Sequence, residues 1–338
     1  MADTDIGWCR GRDGRGGCAW NPVTGCDWAS TGCDFCYAMS MARRLKAMGQ
    51  ERYQLDGDPR TSGPGFAVQM HEALLPVPLK MRTGRGIFVN SMSDLFHPKV
   101  TDEFIARVFA VMIASPQHIH YALTKRAARI AALLNSPAFW VLVADELARL
   151  WKVDRTAPLS AVPEWIWLGV SVENQEQAER RIPHLTRVPT APRGVRWLSC
   201  EPLIGPVDLH PWLVDHGDPH RSGGIPIDWV VVGGESGHRA KARPMHPAWA
   251  EQVRDQARAA DVGYYYKQEG SWTTVARSGP VREPHLWLHR DGRTATEAEA
   301  VADGGDWIGA WHRTGHGSDL LDGVRWDEWP RQWAPVAA

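Results

Sequence analysis

The chain has 338 residues, 43% of them hydrophobic, which suffices for one large α/β domain or two ordinary ones and excludes a disordered protein. A formal net charge of −1 excludes a molecule that is basic overall, although eight Lys/Arg against four Asp/Glu between Arg43 and Arg85 bias that stretch towards a solvated basic face or a nucleic-acid contact. No apolar run approaches the ~20 residues that span a bilayer, and the start MADTDIGWCRGRDGRGG lacks the apolar centre of a signal peptide, so a cytoplasmic protein without membrane segments is expected.

Of six cysteines, Cys9, Cys18, Cys26, Cys33 and Cys36 fall in the first 36 residues, and Cys200 lies in a strand-like run. Such clustering in a cytosolic chain points to metal or redox chemistry rather than to a disulfide framework. The densest stretch is TGCDWASTGCDFCYA, residues 24–38. It feeds into YAMSMARRLKAMG, where Ala38, Met41, Ala42, Leu45 and Met48 take the spacing of one helical face and Gly49 offers a stop. Residues 50–85 are rich in Gly and Pro and read as an irregular excursion.

From residue 86, short β-branched or aromatic runs alternate with helical stretches. Strands are expected at 86–90, 118–124, 164–172, 195–200, 228–234 and 262–267, with helices near 101–114, 125–135, 140–151, 174–182 and 246–260. Alternation of this kind implies parallel pairing in a barrel or a doubly wound sheet. Each strand ends in polar residues: Asn90, Ser91 and Asp94; Thr124, Lys125 and Arg126; Ser171, Glu173 and Asn174; Ser199 and Glu201; Gly233-Gly234-Glu235-Ser236; Lys267-Gln268-Glu269. Singly these suit caps and turns, but together they would converge on one barrel mouth. Beyond Gly270 the pieces LWLHRDGRTA and SDLLDGVRWDEWP read as hairpins turning at Asp291-Gly292 and Asp322-Gly323, and this extension either caps the barrel or covers its mouth. The 18 Trp scatter through the chain and read as packing residues.

A structural zinc site closes four ligands, commonly as two Cys pairs, whereas here one C-x-x-C (Cys33, Cys36) follows Cys26 alone. Three thiolates on a four-iron cluster would leave one iron open to a small chelating molecule, through which low-potential electrons break a bond. Cys9 and Cys18 are candidates for free thiols, a second metal site or a closing fourth ligand, and Cys200 reads as a core residue. His97, His118 and His120 lack a metal-binding pattern, and GGESG lacks the spacing of a phosphate loop.

The segment C-D-F-C-Y-A opening a helix is similar to the end of the radical S-adenosylmethionine signature. With WNPVTGC, FVNSMSDLFH, LTKR, LGVSVE, LSCEPLIGP, VVVGGESG, YKQ and LLDGVRWDEWP, the chain resembles the phage-associated three-Cys-motif family of radical-SAM-like proteins over most of residues 19–330. The resemblance implies a partial or near-complete TIM-like parallel β/α barrel over residues 1–270, with an N-terminal Cys loop, and a hairpin-rich extension over 271–338 packing on it. It implies a [4Fe–4S] cluster on Cys26, Cys33 and Cys36, with S-adenosylmethionine on the open iron and its adenine against Phe35. An electron donor would reduce the cluster, and cleavage would give methionine and a 5′-deoxyadenosyl radical acting on an unidentified substrate, for which nucleic acid or a nucleotide is the candidate class.

Asn90, Ser91, Asp94, Ser171 and Glu173 are the candidates for S-adenosylmethionine contacts, Glu201 and Glu235 for substrate or the methionine group, and Lys267 for a carboxylate or phosphate. The gap between Cys26 and Cys33 is longer than in the most frequent radical-SAM pattern, and Gly233-Gly234-Glu235 sits on a late strand where the family places such a motif early. A different class of function, a non-catalytic barrel tied by zinc or a fully ligated cluster, remains the alternative. The oligomeric state is not legible.

Overall fold

A computed structural model describes residues 2–152, 159–214, 227–237, 241–274, 285–313, 315 and 317–333. Its strands are β1 (Ala2–Asp3), β2 (Cys18–Trp20), β3 (Val23–Thr24), β4 (Gln69–Met70), β5 (Gly86–Val89), β6 (Ile119–Thr124), β7 (Ile166–Ser171), β8 (Arg196–Cys200), β9 (Trp229–Gly233), β10 (Gly263–Gln268), β11 (Trp272–Thr274), β12 (Leu286–His289), β13 (Thr294–Ala295), β14 (Trp307–His312), β15 (Leu320–Leu321) and β16 (Val324–Arg325). The helices are α1 (Tyr37–Ala47), α2 (Asp102–Ile113), α3 (Ala127–Leu134), α4 (Pro137–Trp151), α5 (Gln175–Leu185), α6 (His210–Leu213), α7 (Pro247–Ala259) and α8 (Glu297–Asp303).

The main sheet has the order β1-β2-β5-β6-β7-β8-β9-β10, with β1 antiparallel and every other pair parallel. Strands joined in chain order curl into a partial β/α barrel. Both edges are covered: β1 pairs along β2, and residues 326–328 run antiparallel to β10, with Tyr266 N donating to the Trp326 carbonyl at 2.8 Å. Covering removes the unpaired ladder groups that an open sheet would otherwise present.

Strand alternation sorts the core into two. One face carries Ile87, Val89, Ala122, Leu168, Val170, Leu198, Val230 and Val232 against the helices. The opposite face carries Phe88, Tyr121, Trp167, Trp197 and Trp229, which pack with Trp8 from the N-terminus and Trp329 and Trp333 from the C-terminus. Trp8 lies 5.1 Å from Trp197 and Trp197 5.7 Å from Trp229, ring centre to ring centre, both in tilted contacts within the separation that favours aromatic pairs. This aromatic floor fills the N-terminal half of the inner face.

The expected strands and helices are present, with informative differences. Helix α5 continues through Pro183, because Ile182 and Leu185 are both buried and the proline falls in the last turn, where it removes a single backbone bond. In α1 only Ala38 and Ala42 of the expected apolar face are buried, while Met41 and Met48 are exposed. His118 and His120 are core residues: His118 accepts from Arg85 N at 3.1 Å, and His120 meets Ser115 Oγ at 3.1 Å. Both C-terminal hairpins form, β12–β13 and β15–β16, the latter with Asp322 and Gly323 at φ 53° and 75° in the turn. The sheet β11-β14-β12-β13 leans on α7 and the loop after β9, where Trp272 Nε1 donates to Ala242 O at 2.7 Å. The extension therefore closes the floor with Trp329 and Trp333 and also buttresses one side of the mouth. Among the described residues no single helix is long and apolar enough to cross a membrane.

Candidate functional site

The Cys loop folds over the C-terminal ends of β5–β7. Its fixed point is Arg126, just after β6, which donates to Asp94 Oδ2 at 2.9 Å, the Asp27 carbonyl at 3.0 Å and Cys26 Sγ at 3.4 Å. Asp94 also accepts from Thr124 Oγ1 at 2.7 Å, Lys125 N at 3.1 Å and Phe96 N at 3.0 Å. Its carboxylate is fully engaged, and the structure places it as the organiser of the β6 end. Asp27 is fixed in turn by Thr61, Ser62 and His97, each at 3.1 Å.

Glu173, at the end of β7, is wholly buried and accepts from Ser30 Oγ at 2.9 Å, Arg181 Nη1 at 2.7 Å and Lys125 Nζ. Arg181 also donates to the Ser171 carbonyl at 2.8 Å. Gly32, next to Cys33, lies so close that a Cβ there would stand 2.4 Å from Glu173 Cγ, so only glycine lets the loop settle on this carboxylate. Arg126 thus contacts the Cys26 thiol and pairs with Asp94, while Lys125 and Arg181 pair with Glu173 under the same loop. Burial pushes the Cys26 thiol up to about 12 and raises Cys36, so these two thiols stay protonated near neutrality; burial also lowers Lys125 to about 8.

None of the six cysteines is in a disulfide, and they fall into different regions. Cys9 lies in the aromatic floor, whereas Cys18 and Cys200 lie in the helix-side core. Cys26 and Cys36 pack with Met92 and Ala38 at the mouth, and Cys33 is buried beside them in the same loop. Among the described residues the mouth is therefore offered three thiols and no fourth.

Among the described residues no three His, Cys, Asp or Glu side chains converge on a point that would hold a single metal ion. A zinc ion needs its sulfurs at about 2.3 Å from one centre. An iron–sulfur cluster instead takes its thiolates at separate irons, so three sulfurs spread around a cationic pocket fit a cluster better than one ion.

Asn90 follows β5 and is 4% exposed, yet among the described residues neither its amide nitrogen nor its amide oxygen has a partner. A buried amide with both ends unmatched is costly and is normally satisfied by something bound. The next residues join it to the Cys loop: the Ser91 carbonyl accepts from Tyr37, and the Met92 carbonyl from Gly25 N at 3.0 Å. Ser91 Oγ itself is held by Asn21 at 3.1 Å.

Across the mouth, Glu201 pairs with Lys267 at 2.9 Å, with Ser199 Oγ 3.4 Å away. Glu235 is a different case. Arg243 donates to it from Nε and backbone N at 2.8 Å and from Nη2 at 2.7 Å, reaches Asp34 at 3.4 Å, and lies 5.2 Å from the Phe35 ring centre. Glu235 thereby ties the Cys loop to the β9 end, and a guanidinium covers Phe35. Gly234 meets the Glu269 backbone so closely that its Cβ would stand 2.0 Å from the carbonyl, which explains the double glycine by packing.

The structure brings Cys26, Cys33, Cys36, Phe35, Ser91, Asp94, Ser171 and Glu173 into one neighbourhood, with Asn90 beside it and Glu201 and Lys267 at the opposite rim. Sequence reasoning did not single out Arg181 or Arg243, since an arginine on a helix or loop gives no local sign that it will turn inward. Lys125 and Arg126 were legible as a polar strand end.

No curated protein and no solved structure matches this chain. A family model described as a protein of unknown function, DUF5131, matches residues 3–330, and the chain belongs to that family.

Proposed function

We propose that this chain is a radical S-adenosylmethionine enzyme built on a partial TIM-like barrel, with Cys26, Cys33 and Cys36 as ligands of a [4Fe–4S] cluster that keeps one iron open. The observation that carries the reading is the segregation of the sulfurs: three free thiols stand together among three cations at the mouth, and the other three cysteines are buried elsewhere.

When bound, the cluster would supply low-potential electrons and an open coordination position for S-adenosylmethionine. The chain's own residues do the rest. Lys125, Arg126 and Arg181 offset the charge of three deprotonated thiolates, and Arg126 fixes Cys26 directly. Asn90 presents a free donor and a free acceptor to a polar ligand group. Glu201 and Lys267 remain for a substrate with complementary charges, and the aromatic floor keeps water from entering beneath. The partners implied are a reducing electron donor and a substrate of the nucleic-acid or nucleotide class. Free thiols and a cluster of this kind suit a reducing, cytoplasmic setting.

Anaerobic reconstitution tests the reading. About four irons and four sulfides per chain, with methionine and 5′-deoxyadenosine formed under strong reductant, are expected. Stoichiometric zinc with no cleavage would show the non-catalytic alternative instead.

A further inference from the structure

Helix α1 starts at Tyr37, directly after Cys36, and its outer face is unusual. Tyr37 is 58%, Met41 39% and Met48 70% exposed; with Arg44 they fall at i, i+4, i+7 and i+11, a single stripe about 16 Å long. Arg43 flanks the stripe and Arg52 follows the helix; both are exposed, and like Arg44 they carry no ion pair among the described residues, whereas Lys46 is bound to Asp56 and Arg60 to Asp58. Tyr, Met and Arg are the residues enriched at protein interfaces, and a flexible thioether adapts to a partner's surface. Tyr37 is the one ring of the stripe and its hydroxyl is held by the Ser91 carbonyl, while Met41 and Met48 add no ring on which a nucleobase would stack. The free cations call for a partner of opposite charge.

We infer that this face of α1 docks an acidic protein that carries single electrons. The inference rests on the cluster reading above, because that chemistry consumes an electron for each reduction and the stripe begins at the residue after a cluster thiolate. One electron leaves the reduced carrier and enters the cluster, so the carrier is oxidised as the cluster is reduced. Docking along α1 puts the carrier beside Cys36, the residue before the helix.

The test uses the full chain loaded anaerobically with iron and sulfide, and a reduced flavodoxin as probe. Cluster reduction is followed by stopped-flow absorbance, with dithionite as the small-molecule reference. The wild-type rate with flavodoxin should fall as salt rises. In Arg43→Glu/Arg44→Glu and in Met41→Ser/Met48→Ser the flavodoxin rate should fall about tenfold or more, which corresponds to about 1.4 kcal/mol, with the dithionite rate unchanged. Calorimetric binding of oxidised flavodoxin should weaken in the same variants. Flavodoxin rates unaltered in a loaded chain overturn the docking face alone. A wild-type chain that takes up no iron overturns the cluster reading and this inference together. A wild-type dimer that the Met variant dissociates, or oligothymidine binding that the Arg variant abolishes, gives the face to another occupant and overturns the proposal.

Discussion

The two ends of the inner sheet face carry opposite chemistry on the same strands. At the N-terminal end Tyr121, Trp167, Trp197 and Trp229 form a dry aromatic floor with Trp8, Trp329 and Trp333. Two or four residues further along, the same face presents Lys125, Ser171, Ser199, Glu201 and Lys267, with Glu173 just beyond. Stability and chemistry are thus separated along each strand, as in barrels whose sites are confined to one end. Damage to the floor should cost folding and spare the site, and damage to the mouth should do the reverse unless it strands a buried charge.

The largest expected effect is on the floor. Trp197→Ala removes a wholly buried ring in contact with Trp8 and Trp229 and should lower unfolding free energy by about 3–5 kcal/mol in a denaturant titration, with iron per folded chain unchanged. Glu173→Gln is the mouth substitution that should behave like a floor one. It leaves Arg181 and Lys125 facing a neutral amide and should cost about 3 kcal/mol; removing the lysine charge as well, in Glu173→Gln/Lys125→Met, should recover part of that.

Cys33→Ser should separate the two ends most cleanly. Bound iron should fall about tenfold or more after anaerobic loading, as measured by metal analysis, while the apo chain melts close to the parent. A pH series sharpens this further. Burial holds Cys26 up to about 12 and raises Cys36, so these two thiols must lose a proton to bind metal, and iron affinity should rise with pH by up to about tenfold per unit for each proton released. An affinity that is flat between pH 6 and pH 9, or about those limits, would contradict ligation by these thiols.

Asn90→Leu gives the smallest shift and the most telling one. Its amide makes no hydrogen bond, so replacement by an apolar side chain should raise stability by about 1 kcal/mol while S-adenosylmethionine binding to the loaded protein weakens. A loss of both would place Asn90 in the fold rather than in the site.

Much of the fold was legible because its signals are local. Alternation of β-branched runs with helical stretches gave the parallel order, and Asp-Gly pairs gave the hairpins. The Cys loop was legible because thiols are scarce. What escaped depends on distant partners: that Asp94 is engaged by Arg126, Thr124 and backbone groups, that Glu235 is clamped by Arg243, and that Met41 and Met48 face outward although their spacing is that of a buried face. Spacing shows which residues share a helix face, but not whether anything covers that face. The scattered tryptophans are the opposite case, since their role as packing residues was readable and only the fold shows that six of them meet in one floor.

The central claim is that three sulfurs leave one metal position open. Mössbauer spectra of the ⁵⁷Fe-loaded chain, recorded without oxygen before and after S-adenosylmethionine is added, test it most directly. The account predicts that one iron in about four changes its isomer shift on addition while the rest stay as they were. Four irons that all remain unchanged, or a metal content that is zinc, would contradict it.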